Sequence, residues 1–170
     1  MALTVAPAAN ADSYVSIADA DAYLAGRGAG AAWSTLATDD KEIALRLATE
    51  YIDGIFGSRF IGQRTASAQA LAWPRKNVFM YESTVSLDDA LIPKAIKNAT
   101  AYLALESRSV SLASNAGAAV KREKIGPIET EYAVSSGSSS SQLVRFPFLS
   151  GLLADYLSGG FFGPLLTRRI

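Results

Sequence analysis

Thr38-Asp-Asp-Lys-Glu-Ile-Ala-Leu-Arg-Leu-Ala-Thr-Glu-Tyr-Ile-Asp-Gly-Ile-Phe-Gly57 is the stretch that sets the fold. Its first turn predicts a helix start. Thr38 can cap with its hydroxyl, and Asp39, Asp40 and Glu42 put negative charge where a helix terminus is positive. At about 100° per residue, Ile43, Ala44, Leu45, Leu47, Ala48, Tyr51, Ile52, Ile55 and Phe56 sweep more than half the circumference. Glu42, Arg46, Thr49, Glu50 and Asp53 leave only a narrow polar stripe. A helix this apolar must touch more than one neighbour, so it is expected to be the central core helix.

Downstream, residues 57–70 form a small polar linker that leads into Leu71-Ala-Trp-Pro-Arg-Lys76. Pro74 blocks helix continuation and biases Trp73 toward extended backbone. A large ring is therefore held on a stiff segment between helices. The segment reads in two ways. As a core plug, Trp73 closes the gap between two helices, since buried aromatics dominate core energetics. As a recognition loop, Trp73, Pro74 and Arg75 face a partner, since Trp and Arg are enriched at interface hot spots.

Upstream, residues 1–12 are Ala-rich with Pro7, and are expected to be a flexible arm or an edge strand. Ser16 can cap a helix with Asp19 in its first turn, and Ile17, Ala20, Tyr23 and Leu24 share one face. That helix should end near Gly26. Gly26-Arg-Gly-Ala-Gly30 has the look of a phosphate loop, but no strand precedes it and no Lys-Ser/Thr follows. It reads as a helix terminator plus a flexible linker.

Toward the C-terminus, residues 77–90 look irregular. A third helix should begin near Ile92, with Pro93 in its first turn. Ile92, Ala95, Ile96, Ala99, Tyr102, Leu103 and Val110 share one face, while Lys94, Lys97 and Asn98 lie on the other and read as a solvated face. After a small-residue linker, Ile128, Thr130 and Tyr132 alternate with Glu129 and Glu131, and Gly126-Pro127 marks a bend. Lys121, Arg122 and Lys124 before the bend can face those glutamates after it, which predicts an antiparallel hairpin. A lone hairpin is marginal in water, so it needs a helix or another chain's strand to lie on. Ser135 to Ser141 is low-complexity, and Pro147 opens a fourth, short helix whose apolar face runs Phe148, Leu149, Leu152, Leu153, Tyr156 and Leu157. The tail from 159 to 170, with Phe161 and Phe162, is apolar without a period; it folds back or docks on a neighbour. The expected fold is mainly α: a small bundle of about four helices with a β-hairpin inserted before the C-terminal helix. It forms one domain over 1–170, with an arm at 1–12 and a tail at 159–170.

Composition narrows the function classes. The 170 residues carry 16 basic and 16 acidic side chains, and a neutral chain disfavours a dedicated nucleic-acid binder. There is no cysteine and no histidine, so thiolate and imidazole chemistry are excluded, along with any Ser-His-Asp triad. Metal binding would need an all-oxygen site, and no calcium-loop pattern is present. No catalytic, cofactor or metal residues emerge, and the chain is expected not to be an enzyme. No signal peptide or membrane-length apolar run is visible, which reads as a soluble protein made in a cytoplasm. Hydrophobic residues at 49% lean toward shared apolar surface.

Four features together carry a resemblance: the helix-rich first half with Ala44 to Tyr51, the loop Gln69-Ala-Leu-Ala-Trp-Pro-Arg75, the start Ile92-Pro-Lys-Ala-Ile96, and Val120-Lys-Arg-Glu-Lys-Ile-Gly-Pro-Ile-Glu-Thr-Glu-Tyr132. Over residues 12–158 the chain resembles the head–tail adaptor, or head-completion, proteins of tailed phages and prophages. Similar sequences also carry the label DnaT-like single-stranded DNA-binding protein. The adaptor resemblance implies a dodecameric ring in the virion neck, assembled in the host cytoplasm. Its partners would be the portal protein and a tail-side connector or tail terminator, with transient contact to genomic double-stranded DNA in the channel and no membrane. It implies interaction roles for Trp73, Pro74 and Arg75, and for Lys124, Ile125, Gly126, Pro127, Ile128 and Tyr132. Phe161 and Phe162 join them from the residue pattern alone. The alternative is a single-stranded DNA-binding module, with Trp73 and Trp33 as stacking platforms and Arg75 and Lys76 beside the first.

Overall fold

A computed structural model of the chain describes residues 2–80, 85–112, 146–158 and, as backbone strands, 122–125 and 128–131. Helix α1 is Ile17–Gly26, α2 Gly30–Ser34, α3 Thr38–Phe56, α4 Lys94–Glu106 and α5 Pro147–Leu152. Two small antiparallel ladders accompany them: β1 (Gln63–Arg64) with β2 (Arg75–Lys76), and β3 (Arg122–Ile125) with β4 (Ile128–Glu131). The fold is mainly α with a two-stranded hairpin ahead of the last helix, as the periodicity predicts.

Helix α1 starts as its sequence demands: the Asp19 amide donates to the Ser16 hydroxyl at 3.1 Å. At α3 the cap position falls on Ala37 and Thr38 lies inside the first turn, so the acidic residues Asp39 and Asp40 provide the start signal without a side-chain cap. The α3 face that enters the core is Ala44, Leu45, Ala48, Thr49, Ile52 and Phe56. Ile43 and Leu47, the outer part of the apolar sweep, are 52% and 39% exposed.

The central helix is α4, which corrects the expectation for α3. Ile96, Ala99, Thr100, Ala101, Leu103 and Ala104 are all buried, and they cover most of the helix circumference. Helices α1, α3 and α5 all pack on it. Alanines on several sides let neighbouring backbones approach, and the Thr100 hydroxyl is satisfied within the helix by the Ile96 carbonyl at 2.9 Å. The helix ends at Glu106, so Val110 lies beyond it.

Several local details go beyond the sequence pattern. The N-terminal arm is fastened: Thr4 N–H donates to Asp12 Oδ1 at 2.8 Å, Asp12 Oδ2 meets Arg46 at 2.7 Å, and Leu3 N–H donates to Glu42 at 3.3 Å. Beyond the Gly26–Gly30 terminator, residues 30–34 form a short further helix, α2, with Trp33 as its buried anchor. The linker at 57–70 contributes β1, whose turn requires Gly62 at φ +74°. A Cβ there would sit 2.6 Å from the Lys76 carbonyl oxygen and from a Val78 methyl. Helix α5 stops after Leu152 and continues as a 3₁₀ turn, Ala154–Tyr156. In the hairpin, Arg122 pairs with Glu131 and Lys124 with Glu129 in register, the opposite-charge placement that the sequence predicts.

Candidate functional site

Two aromatic–arginine clusters compete for the role of site. The first surrounds Trp73. Its ring is 1% exposed and stands edge-on between Phe60 and Tyr156, with both centroids 5.8 Å away. Its backbone is held as firmly. The Trp73 amide donates to the Tyr14 hydroxyl at 3.2 Å, and the Ala72 amide donates to Asp53 Oδ2 at 2.8 Å. Tyr14 in turn donates to Asp53 Oδ1, so one carboxylate on α3 ties the N-terminal segment to the tryptophan loop. Gln69 closes the loop from the other side, donating to the Leu71 and Pro74 carbonyls at 2.8 and 3.0 Å.

Arg75 turns inward. Its guanidinium donates to the carbonyls of Ile61 at 2.7 Å, Gly62 at 2.7 Å, Phe60 at 3.1 Å and Ala72 at 3.3 Å. The irregular backbone of 60–62 has few partners of its own, and the arginine fork supplies them. Burial lowers the Arg75 guanidinium from its ordinary value and raises the Asp53 carboxyl above the usual carboxylate range. Burial, with the Asp53 charge, also pushes the Tyr14 phenol far up. Trp73, Pro74 and Arg75 are all buried, which is the core-plug reading and corrects the recognition-loop reading. Trp33 is sealed as well: it is 1% exposed, and its indole N–H donates to Asp21 at 2.5 Å. Lys41 lies 5.6 Å over its ring and 2.9 Å from the same carboxylate. Neither tryptophan offers a face to a base.

The second cluster is open. A groove of about 520 Å³ runs between α1 and α4, lined by Val15, Asp19, Ala22, Tyr23, Gly26 and Arg27 from one side and Lys94, Lys97 and Asn98 from the other. Arg27, at the C-terminal end of α1, is exposed, with its guanidinium 5.5 Å over the Tyr23 ring and 5.2 Å over Phe148 of α5. Phe148 is 42% exposed and packs on Tyr102 at 4.8 Å between centroids. Among the described residues the ion pairs involve Lys41 and Arg46, and Arg27, Lys94 and Lys97 enter none of them. The groove thus gathers three cations, one carboxylate and a rim of aromatic rings.

The sequence reading sets Lys94, Lys97 and Asn98 aside as a solvated face. What that reading lacks is the crossing of α1 over α4, which brings Arg27 and Tyr23 opposite the lysines. The glycine-rich Gly26–Gly30 segment ends the helix, with Gly28 at φ +74°, and so delivers Arg27 to the groove mouth. Of the remaining candidates, Lys124, Ile125 and Ile128 have strand positions in the hairpin, while Gly126, Pro127, Tyr132, Phe161 and Phe162 lie outside the described residues. Among the described residues no group of three or more acidic side chains could hold a metal ion.

These features define a small helical protein with a sealed aromatic core and a cationic groove. A family model described as "Putative DnaT-like ssDNA binding protein" matches residues 1–169. The chain belongs to that family. No curated protein and no solved structure matches it. The family description corresponds to the second of the two labels carried by the resemblance, and is silent on portal, neck and tail.

Proposed function

We propose that the protein acts by binding, without catalysis, and that its ligand is a nucleic-acid single strand received in the α1–α4 groove. The observation that carries this is the convergence of Arg27, Lys94 and Lys97 on one groove, free of carboxylate pairing among the described residues and edged by Tyr23 and Phe148. The family description supports the same ligand class. The site differs from the sequence expectation: Trp73, Trp33 and Arg75 are spent inside the core and leave the work to the groove. The neutral net charge fits a short footprint and modest affinity, since only phosphates that meet a cation contribute. Three phosphate contacts correspond to a slope of log K against log salt of about −2 for single strands. Fluorescence anisotropy with a labelled oligothymidine should therefore show binding weakened about twentyfold between 50 and 200 mM salt. Silence at low salt removes this reading.

A specific observation also favours the adaptor reading. Ile43 and Leu47 on α3, and Phe79, Val85 and Leu91 between β2 and α4, are large apolar side chains left exposed. Single exposed residues are ordinary, but a subunit of a neck ring has neighbours to cover them. Under this reading the chain forms an oligomeric ring between the portal and a tail-side connector or terminator. Electron micrographs of the purified protein alone and with portal would show rings. A strictly monomeric protein that ignores portal would overturn it.

A further inference from the structure

We propose that Phe148 is the base-stacking residue of the groove, and that its exchange of Arg27 for a base gives the site its preference for single strands over duplex. This rests on the groove reading above. Phe148 stands beside the groove, in contact with its lining residue Arg27; it is 42% exposed and packs on Tyr102 at 4.8 Å between centroids. Arg27 lies over it at 5.2 Å and over Tyr23 at 5.5 Å, so one cation occupies two rings. A cation–π contact at an exposed site is weak, and base–aromatic stacking is the stronger contact. An unpaired base can therefore take the guanidinium's place on the Phe148 ring. Arg27 is then free to turn to the phosphate of the same nucleotide, still within the groove it lines.

A duplex cannot make this exchange, because both faces of each base are already covered by stacked neighbours, and unstacking costs energy. Duplex DNA would still meet Lys94 and Lys97 through its phosphates, with no contribution from the ring. From Lys94 to Tyr102 the helix rises about 12 Å. At about 3.4 Å per phosphate in a stacked strand, this spans three to four nucleotides. The footprint has one stacked base at the Phe148 end and phosphates on the two lysines.

The experiment measures anisotropy of a labelled 12-nucleotide oligothymidine and of a 12-base-pair duplex, with the full chain and the variants Phe148→Leu, Phe148→Trp and Lys97→Gln, each checked for retained helicity by circular dichroism. Phe148→Leu keeps apolar bulk and should weaken single-strand binding about tenfold, leave duplex binding unchanged and leave the salt slope unchanged. Phe148→Trp, with a larger ring, should restore or tighten the single-strand preference. Lys97→Gln should weaken both ligands and lower the salt slope by about 0.7 for the single strand. If Phe148→Leu and Phe148→Trp both keep the wild-type ratio of single-strand to duplex affinity while Lys97→Gln weakens binding, the stacking role is overturned and the groove stands. If the intact chain binds neither ligand, or binds without regard to Lys97, the groove reading falls and takes the stacking role with it.

Discussion

The Trp73 region and the α1–α4 groove are built from the same two side-chain types, an arginine beside aromatic rings, and they do opposite things. Arg75 points into the molecule and is consumed by four backbone carbonyls. Arg27 lies on the surface over Tyr23 and Phe148. The difference comes from the backbone around them. The segment 60–62 passes beneath the tryptophan loop with carbonyls that no sheet or helix satisfies, and a buried unpaired carbonyl is costly. An arginine nearby is drawn inward. Around Arg27 the helix end is solvated, so the guanidinium rests on whatever flat surface is near. A Trp-Pro-Arg triplet is therefore no sign of a recognition loop until the carbonyls around it have been accounted for.

The contrast can be broken by mutation, and the largest effect belongs to the sealed side. Trp73→Ala should cost about 3–5 kcal/mol in urea unfolding, whereas Arg27→Ala should stay within about 0.5 kcal/mol. Equal costs would erase the distinction. Arg75→Met keeps length and apolar bulk but strands four carbonyls, and should cost about 2–3 kcal/mol. Tyr14→Phe removes only the hydroxyl between Asp53 and the Trp73 amide and should cost about 1–2 kcal/mol.

A smaller effect concerns pH. Burial raises the folded pKa of Asp53 above its unfolded value, so the folded state binds the proton more tightly. The contribution of Asp53 to stability is therefore fully present below the ordinary carboxylate range and is lost as pH rises through the raised value. The difference in unfolding free energy between the wild type and Asp53→Asn, followed from pH 4 to pH 7, should move against the wild type as pH rises. A flat difference would mean the carboxyl is not desolvated as its surroundings imply.

How much of this was legible beforehand depends on whether a signal was local. The α3 helix, the hairpin register and the helix start at Ser16 are written in residues within a few positions of one another, and they follow the pattern. The core-plug alternative for Trp73 was legible because Pro74 forbids a helix there. The N-terminal arm was not, because an Ala-rich stretch has no period and its anchors, Glu42 and Arg46, lie on α3. Helix α2 is one turn long, too short for a periodic signal. The sequence ranks α3 over α4 because α3 has the larger apolar side chains, while burial follows the small alanines that admit close neighbours. The groove was invisible for the same reason as the arm: Arg27 and Lys97 meet only once α1 crosses α4.

We propose that the groove, and not the tryptophan loop, meets the ligand. The most direct measurement is the salt dependence of oligothymidine binding by the double variant Lys94→Gln/Lys97→Gln against the wild type, since these side chains touch solvent and their loss should leave stability within about 0.5 kcal/mol. The slope of log K against log salt should drop in magnitude by about 1.4, from about 2 to below 1. An unchanged slope in a folded double variant would contradict it.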